Sequence, residues 1–205
     1  DLHSFPTRRS SDLFVMMTLY VARPFDFMAG QYITVFIAGS QVREGKAYSI
    51  SSRPDEELMS ITVKDVGGEF SSYLCSRKVG DTLHISRAYG DFNPQTERPL
   101  VGIAAGCGLS PIWSILADAQ QPTFLYLSQK SPEYMVFTEE LAASHIQVNK
   151  FSTRQHVEET DGWRNGRFEV AKIVAETPDD AHFLVCGSLP RSEEHTSELQ
   201  SPSLI

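Results

Sequence analysis

The sequence has little cysteine, a shortage of positive charge and no long apolar run, and each shortage removes a class of protein. Its three cysteines, Cys75, Cys107 and Cys186, are odd in number and far apart. They supply neither a disulfide framework nor a metal-ligand spacing, and a reducing cytoplasm is the simplest setting for them. The six histidines are scattered and form no i, i+4 or short-spacing pair. Lysine and arginine number 18 against 26 acidic residues, for a net charge of −8 and a pI near 5.2. That balance argues against a nucleic-acid partner and against a polybasic membrane role. No apolar stretch approaches the ~20 residues of a spanning helix. No basic stretch followed by an apolar core marks a secretion signal at the front. What is present suits a folded chain: 41% hydrophobic and 21% charged residues in a length of 205, enough for one large domain or two compact ones.

The two ends read differently from the middle. SFPTRRSSDL (4–13) and RSEEHTSELQS (191–201) are polar and without periodicity. Each resembles one translation frame of a common sequencing-library adapter. Residues 1–13 and 191–205 are therefore expected to be scars, set apart from fold reasoning as a tag would be. The natural segment is expected at 14–190, truncated on both sides.

The first part of that segment reads as β structure. Apolar or alternating runs at 14–22, 30–39, 46–51, 58–66 and 81–92 are short and evenly spaced. They predict an antiparallel β-barrel over 14–95. One helix interrupts it at 68–78, with Phe70, Tyr73 and Leu74 on one stripe. After a polar stretch at 93–98 the period changes. Continuous apolar runs at 99–106, 122–128, 145–152 and 181–188 alternate with helical patterns that begin at Pro111 and span 132–145 and 167–177. Buried strands alternating with helices predict a doubly wound parallel α/β sheet over 96–190.

Four stretches carry chemistry. In AAGCGLSPIWSIL (104–116), a buried strand ends at Ala105, Gly106 and Gly108 shape a turn, and Ser110 is placed to cap a helix begun by Pro111. Small residues before a helix N-terminus suit a phosphate. They serve equally as a plain strand-to-helix junction. In KAYSISS (46–52), one strand holds Lys46, Tyr48, Ser49, Ser51 and Ser52. Tyr48 could stack on a flat ring, Ser49 could bond a ring edge and Lys46 could meet a phosphate. The bland alternative is an exposed edge strand with Tyr48 packed. In VGGEFSSYL (66–74), two glycines precede a helix whose free N–H groups suit a second phosphate, or simply a capped turn. In FLVCGS (183–188), Cys186 ends a parallel strand where ligands gather, or packs in the core.

Taken in order, these stretches resemble the ferredoxin–NADP reductase superfamily of flavin oxidoreductases. Its R-x-Y-S is matched by Lys46-Ala47-Tyr48-Ser49 and its G-x-x-S by Gly68-Glu69-Phe70-Ser71. Its G-D-F is matched by Gly90-Asp91-Phe92, its G-x-G-x-x-P by Gly106 to Pro111, and its late C-G by Cys186-Gly187. The resemblance covers essentially all of 14–190. Within the superfamily, AAGCG and KSPEYMVFTEE are similar to the NADH oxidoreductases of hybrid-cluster protein.

The resemblance implies a flavin-binding barrel followed by a nucleotide-binding domain, with FAD (FMN as the alternative) and NADH or NADPH as co-substrate. Tyr48 would stack on the flavin, Ser49 would meet its reacting edge, and Lys46 would stand in for the family arginine without its bidentate fork. Gly68, Glu69, Phe70 and Ser71 would hold the other phosphate. Gly106, Cys107, Gly108, Pro111 and Gly187 would seat the nicotinamide nucleotide, with Ser110 and Cys186 near the reacting carbon. Ser152 and Arg154 would read the adenosine ribose. The implied activity is hydride transfer to flavin, then single electrons to a one-electron acceptor such as a ferredoxin-like domain or hybrid-cluster protein. A [2Fe–2S] centre needs four ligands, so three dispersed cysteines put it on a missing domain or a partner. A non-catalytic flavin-binding electron-transfer subunit is the competing reading.

Overall fold

The computed structural model describes residues 2–11, 14–21 and 25–187, with side chains from Phe14 onward except that of Val15. Ser188 and 191–205 lie outside the described residues. Six antiparallel strands make a barrel: β1 (Leu2–Ser11), β2 (Phe14–Val21), β3 (Tyr32–Phe36), β4 (Lys46–Ser49), β5 (Met59–Lys64) and β6 (Thr82–Ile85). Their spatial order is β4-β3-β6-β1-β2-β5. A single bridge between Ile50 and Ile61 joins the two end strands and closes the wall. The cause is visible in the alternation of β3, where Ile33 and Val35 are fully buried between more exposed neighbours. They meet Met17, Leu19, Ile61 and Val63 from β2 and β5 in one apolar cluster. Helix α1 (Glu69–Cys75) packs Leu74 into this cluster and also buries Phe70.

The segment set apart on its adapter resemblance enters this wall. Leu2–Ser11 pairs with β2 along most of its length and with β6 at Leu2 and His3. The pairing needs only backbone N–H and C=O groups. Its register slips between Phe5 and Arg8 and again between Arg9 and Ser11. A strand is present there whatever the origin of the residues that form it.

The second sheet is wholly parallel: β7 (Leu100–Ala105), β8 (Thr123–Gln129), β9 (Gln147–Ser152), β10 (Trp163–Asn165) and β11 (His182–Cys186), in the order β10-β9-β8-β7-β11. Helices α2 (Leu109–Asp118) and α3 (Thr138–Ala143) share an apolar cluster with one face, and α4 (Val170–Glu176) packs on the other. Burial on both faces is why β7 reads as an unbroken apolar run. Phe14 and Ala29 of the barrel belong to the same cluster as α2, so that helix is buried from Leu109 to Leu116 between barrel and sheet.

Three expectations are corrected. The helix predicted over 132–145 is a 3-10 turn, Pro132–Tyr134, followed by the shorter α3, because Phe137 adopts a left-handed backbone (φ 59°) that no α-helix can pass through. Helix α2 begins at Leu109 rather than Pro111, fed by a 3-10 turn at Gly106–Gly108. Gly108 is its cap, and Ser110 lies buried inside the first turn without capping it. Strand β10 was not expected: three residues are too few to show a period.

Candidate functional site

The C-terminal ends of β7, β8 and β11 open toward the barrel, and a cavity of about 490 Å³ lies at that junction. The sheet contributes Gly106, Cys107, Gly108, Pro111, Cys186 and Gly187, and the barrel contributes Ser49 and Lys64. Seven residues singled out from the sequence thus line one space, although they come from three separated stretches. The backbone explains how. Cys186 stands opposite Ala104 in the parallel ladder. Gly106 then turns with φ of 58°, which lets the chain fold back over the end of β11. There Gly108 packs so closely that a Cβ would overlap the Cys186 carbonyl oxygen.

Lys64, Gln129, Lys130 and Tyr134 also line the cavity, and none was given a role from the sequence. Lys64 ends β5, Gln129 ends β8 and Lys130 follows it. Tyr134 sits in the following 3-10 turn, with the Lys64 ammonium 5.9 Å and the Lys130 ammonium 5.8 Å from its ring. Lys130 and Tyr134 lie in the KSPEYMVFTEE stretch, while nothing local marks Lys64 or Gln129, which join them only once barrel and sheet dock. Gln129 is the most informative. It is only 3% exposed, lines the cavity, and its Nε2 has no hydrogen-bond partner among the described residues. A buried amide donor left unpaired costs about 1–3 kcal/mol, so it suits a site whose ligand brings an acceptor. Two lysines on the wall favour an anionic ligand.

The thiols are held protonated. Burial, and then the neighbouring Cys107, push the Cys186 thiol up. Burial also raises Cys107, with the Lys64 charge pulling the other way. Neither is a resting thiolate.

The remaining sequence candidates lie around the cavity. Ser110 is buried in α2 and does not line it. Lys46 is exposed on β4, and Tyr48 is half-buried against the barrel core. Burial, then Cys75, raises the Tyr48 phenol. Ser49 pairs with Tyr32 across the ladder, and paired residues project to one side of the sheet. Tyr32 is exposed, with the Tyr89 ring 6.2 Å away. An exposed aromatic pair on the same face as Ser49 is a second surface that the sequence reading did not isolate.

The α1 turn is partly filled. Asp65 Oδ1 accepts from the Gly67 N–H at 2.9 Å and from the hydroxyls of Ser72 at 3.2 Å and Ser71 at 3.4 Å. The Gly67 bond leads in holding the Asp65 carboxyl below its usual range. Gly68 donates its N–H to Ser71 Oγ, Glu69 accepts from Ser40, and Phe70 is buried. A phosphate here would share the turn with the Asp65 carboxylate. Arg154 is exposed and its N–H donates to the Lys130 carbonyl at 3.0 Å, which sets it beside the cavity's edge. Ser152 is buried, its hydroxyl donating to the carbonyls of Gln155 and Lys130.

Among the described residues no group of three or more His, Cys, Asp or Glu could hold a metal ion, and no helix is long and apolar enough to cross a membrane.

Residues 8–93 match the family model of the oxidoreductase FAD-binding domain. The chain is 32% identical over 200 residues to a flavohemoprotein of Oceanobacillus iheyensis, covering 87% of this chain and 49% of that protein. It is 35% identical over 106 residues to reductase component 1 of a terephthalate 1,2-dioxygenase from Comamonas sp., covering 50% of this chain and 31% of that one. The chain spans about half the length of the flavohemoproteins it matches. In fold it is similar to a ferredoxin NADP+ reductase from Neisseria gonorrhoeae with bound FAD and NADP, at a TM-score of 0.83 and 20% identity over 97% of this chain and 89% of that one.

Proposed function

We propose that this chain, which belongs to the ferredoxin–NADP reductase superfamily of flavin oxidoreductases, takes hydride from NADH or NADPH onto a bound FAD and passes single electrons to an acceptor protein. The observation that carries the reading is the cavity itself. It is lined from both sides, by Ser49 and Lys64 of the barrel and by the Gly106–Gly108 turn and Cys186 of the sheet. A flat ring held by each half would meet its counterpart there.

The residues fit the two groups. Lys64, Lys130 and the unpaired Gln129 amide supply positive charge and a donor toward an anionic nucleotide. Tyr48 and the exposed Tyr32–Tyr89 pair offer aromatic faces near Ser49. Lys46 adds a point charge at the outer end of β4. Flavin, when bound, supplies two-electron acceptance and one-electron release; the protein orients and shields. Cys186, held protonated, presents a neutral thiol rather than a competing anion to the coenzyme.

An iron–sulfur centre on another domain or a partner, such as a ferredoxin-like protein or hybrid-cluster protein, is the acceptor we favour. The likeness to a dioxygenase reductase component supports it. A haem-bearing domain is the second reading, supported by the flavohemoprotein match over 87% of the chain. We place the protein in the cytoplasm, where its three cysteine thiols would stay reduced.

The test is anaerobic. The chain is loaded with FAD and mixed with NADH or NADPH, and loss of visible flavin absorbance is followed. Bleaching is the expected result. A fully loaded flavin that neither coenzyme bleaches overturns the reading. Electron delivery to a ferredoxin or to a globin then separates the two acceptors.

A further inference from the structure

Cys107 lies in the turn that would seat the nucleotide, but its sulfur has no role there, and it is an exposed thiol lining the cavity with a second thiol, Cys186. We propose that Cys107 and Cys186 are a dithiol that a hydroperoxide converts to an intrachain disulfide across the mouth of this cavity.

Geometry brings the pair together. Gly108 is packed against the Cys186 carbonyl, and Gly187 packs on the Ala105 side chain. The turn after β7 therefore lies directly on the end of β11. The Cys107 α-carbon is one step of ~3.8 Å from Gly108. Cys107 is close enough for its charge to act on Cys186, and a disulfide needs the two α-carbons brought within about 4.4–6.8 Å. The turn can also adjust. Cys107 is flanked by two glycines, and nothing lies within 4 Å of the Cβ position of Gly106. Cys75, on α1 of the barrel, does not line this cavity.

Chemistry sets the order of events. Cys107 is exposed while Cys186 is half-buried; burial holds the Cys107 thiol up, and the Lys64 charge offsets part of that, so the small thiolate fraction that reacts forms at Cys107. Cys107 is the thiol that the peroxide meets. Its sulfur attacks the peroxide oxygen, breaking the O–O bond, and becomes a sulfenic acid as the first water or alcohol leaves. The Cys186 sulfur then displaces the sulfenic oxygen as a second water. The peroxide gains two electrons, the two thiols lose two, and the two thiol protons end in the products. The bond ties the Gly106–Gly108 turn to β11. On the reading of the cavity as a nicotinamide-nucleotide site, it shuts that site while the chain is oxidised.

The full chain is treated anaerobically with hydrogen peroxide, alkylated, digested without reductant and mapped by mass spectrometry. The expected result is loss of two of the three thiols, a linked Cys107–Cys186 peptide, a free Cys75, and full recovery with dithiothreitol. Both Cys107→Ser and Cys107→Ala are expected to leave Cys186 reduced under the same treatment. A bridge that includes Cys75, a bridge between chains, oxidation of Cys107 to sulfinic acid without a linked peptide, or loss of the Cys186 thiol in both variants overturns the proposal. Binding of NAD+ and NADP+ to the reduced and oxidised chains is measured alongside, with loss on oxidation expected. Equal binding to both forms overturns the closure of the site. No binding to the reduced chain overturns the coenzyme reading alone, because the peptide map decides the dithiol independently.

Discussion

At the scale of single residues, the site depends on the absence of one carbon atom, and the acid stability of the fold on one histidine that holds its proton weakly. Gly108 has an ordinary right-handed backbone, so its role is space rather than conformation. A methyl group there would meet the Cys186 carbonyl, which is backbone and cannot rotate away. Gly108→Ala is expected to cost about 1–3 kcal/mol by overpacking, read as a lower denaturation midpoint. It should also weaken nucleotide binding by parting the turn from β11. A variant of unchanged stability would show that the turn has room that the packing denies. His182, at the start of β11, is depressed below its ordinary value of 6.5 by burial and then by Arg98. The unfolded chain therefore binds a proton that the folded chain refuses. Stability is full above about pH 6.5 and falls as pH drops toward the folded value. His182→Gln should flatten that acid slope in urea titrations taken from pH 7 to 5; a slope unchanged by the substitution would assign it to other groups.

At the scale of elements, Phe137 makes the sharpest case. It holds a left-handed backbone, yet its ring is buried and stacks on Trp113 at 5.5 Å. Packing outweighs backbone strain here, and the strain is what ends the expected long helix. Removing the ring by Phe137→Ala should cost about 3–5 kcal/mol. Phe137→Gly removes the ring and the strain together, so it should be more stable than Phe137→Ala by about 1 kcal/mol in the same unfolding measurement. The reverse order would mean that the left-handed backbone is not retained. The same residue shows why the sequence was readable only in part. The strands β3, β5 and β7 follow from alternation or from unbroken apolar runs, which local burial imposes directly. The break at Phe137 is imposed by the Trp113 contact, 24 positions away in sequence, and leaves no local trace. The site divides along the same line. Gly106, Gly108 and Cys186 were legible because turns and strand ends carry their own composition. Lys64 and Gln129 were not, because each is an ordinary strand residue until β5 and β8 converge.

At the scale of the whole molecule, the cavity exists only while barrel and sheet stay docked, since its walls belong to both. Few polar bonds fix that docking. One is fully buried: the Ser114 hydroxyl of α2 donates to the Ser52 carbonyl, just beyond β4, at 2.7 Å. Around it lies an apolar contact of Phe14 and Ala29 with α2, which is adhesive but not directional. This buried, directional bond therefore helps to set the register of one half on the other. Ser49 is three residues before Ser52, so a shift there moves the barrel wall of the cavity relative to the Gly106–Gly108 turn. Ser114→Ala would leave the Ser52 carbonyl buried without its partner, at a cost of about 1–3 kcal/mol. A merely local defect would lower the global midpoint and nothing else. A docking defect should also speed protease cleavage in the polar connection at 93–99 and weaken nucleotide binding, even under conditions where both halves remain folded by circular dichroism. Stability lost without faster cleavage would assign the bond to the core; all three changing together would assign it to the joint between the two halves.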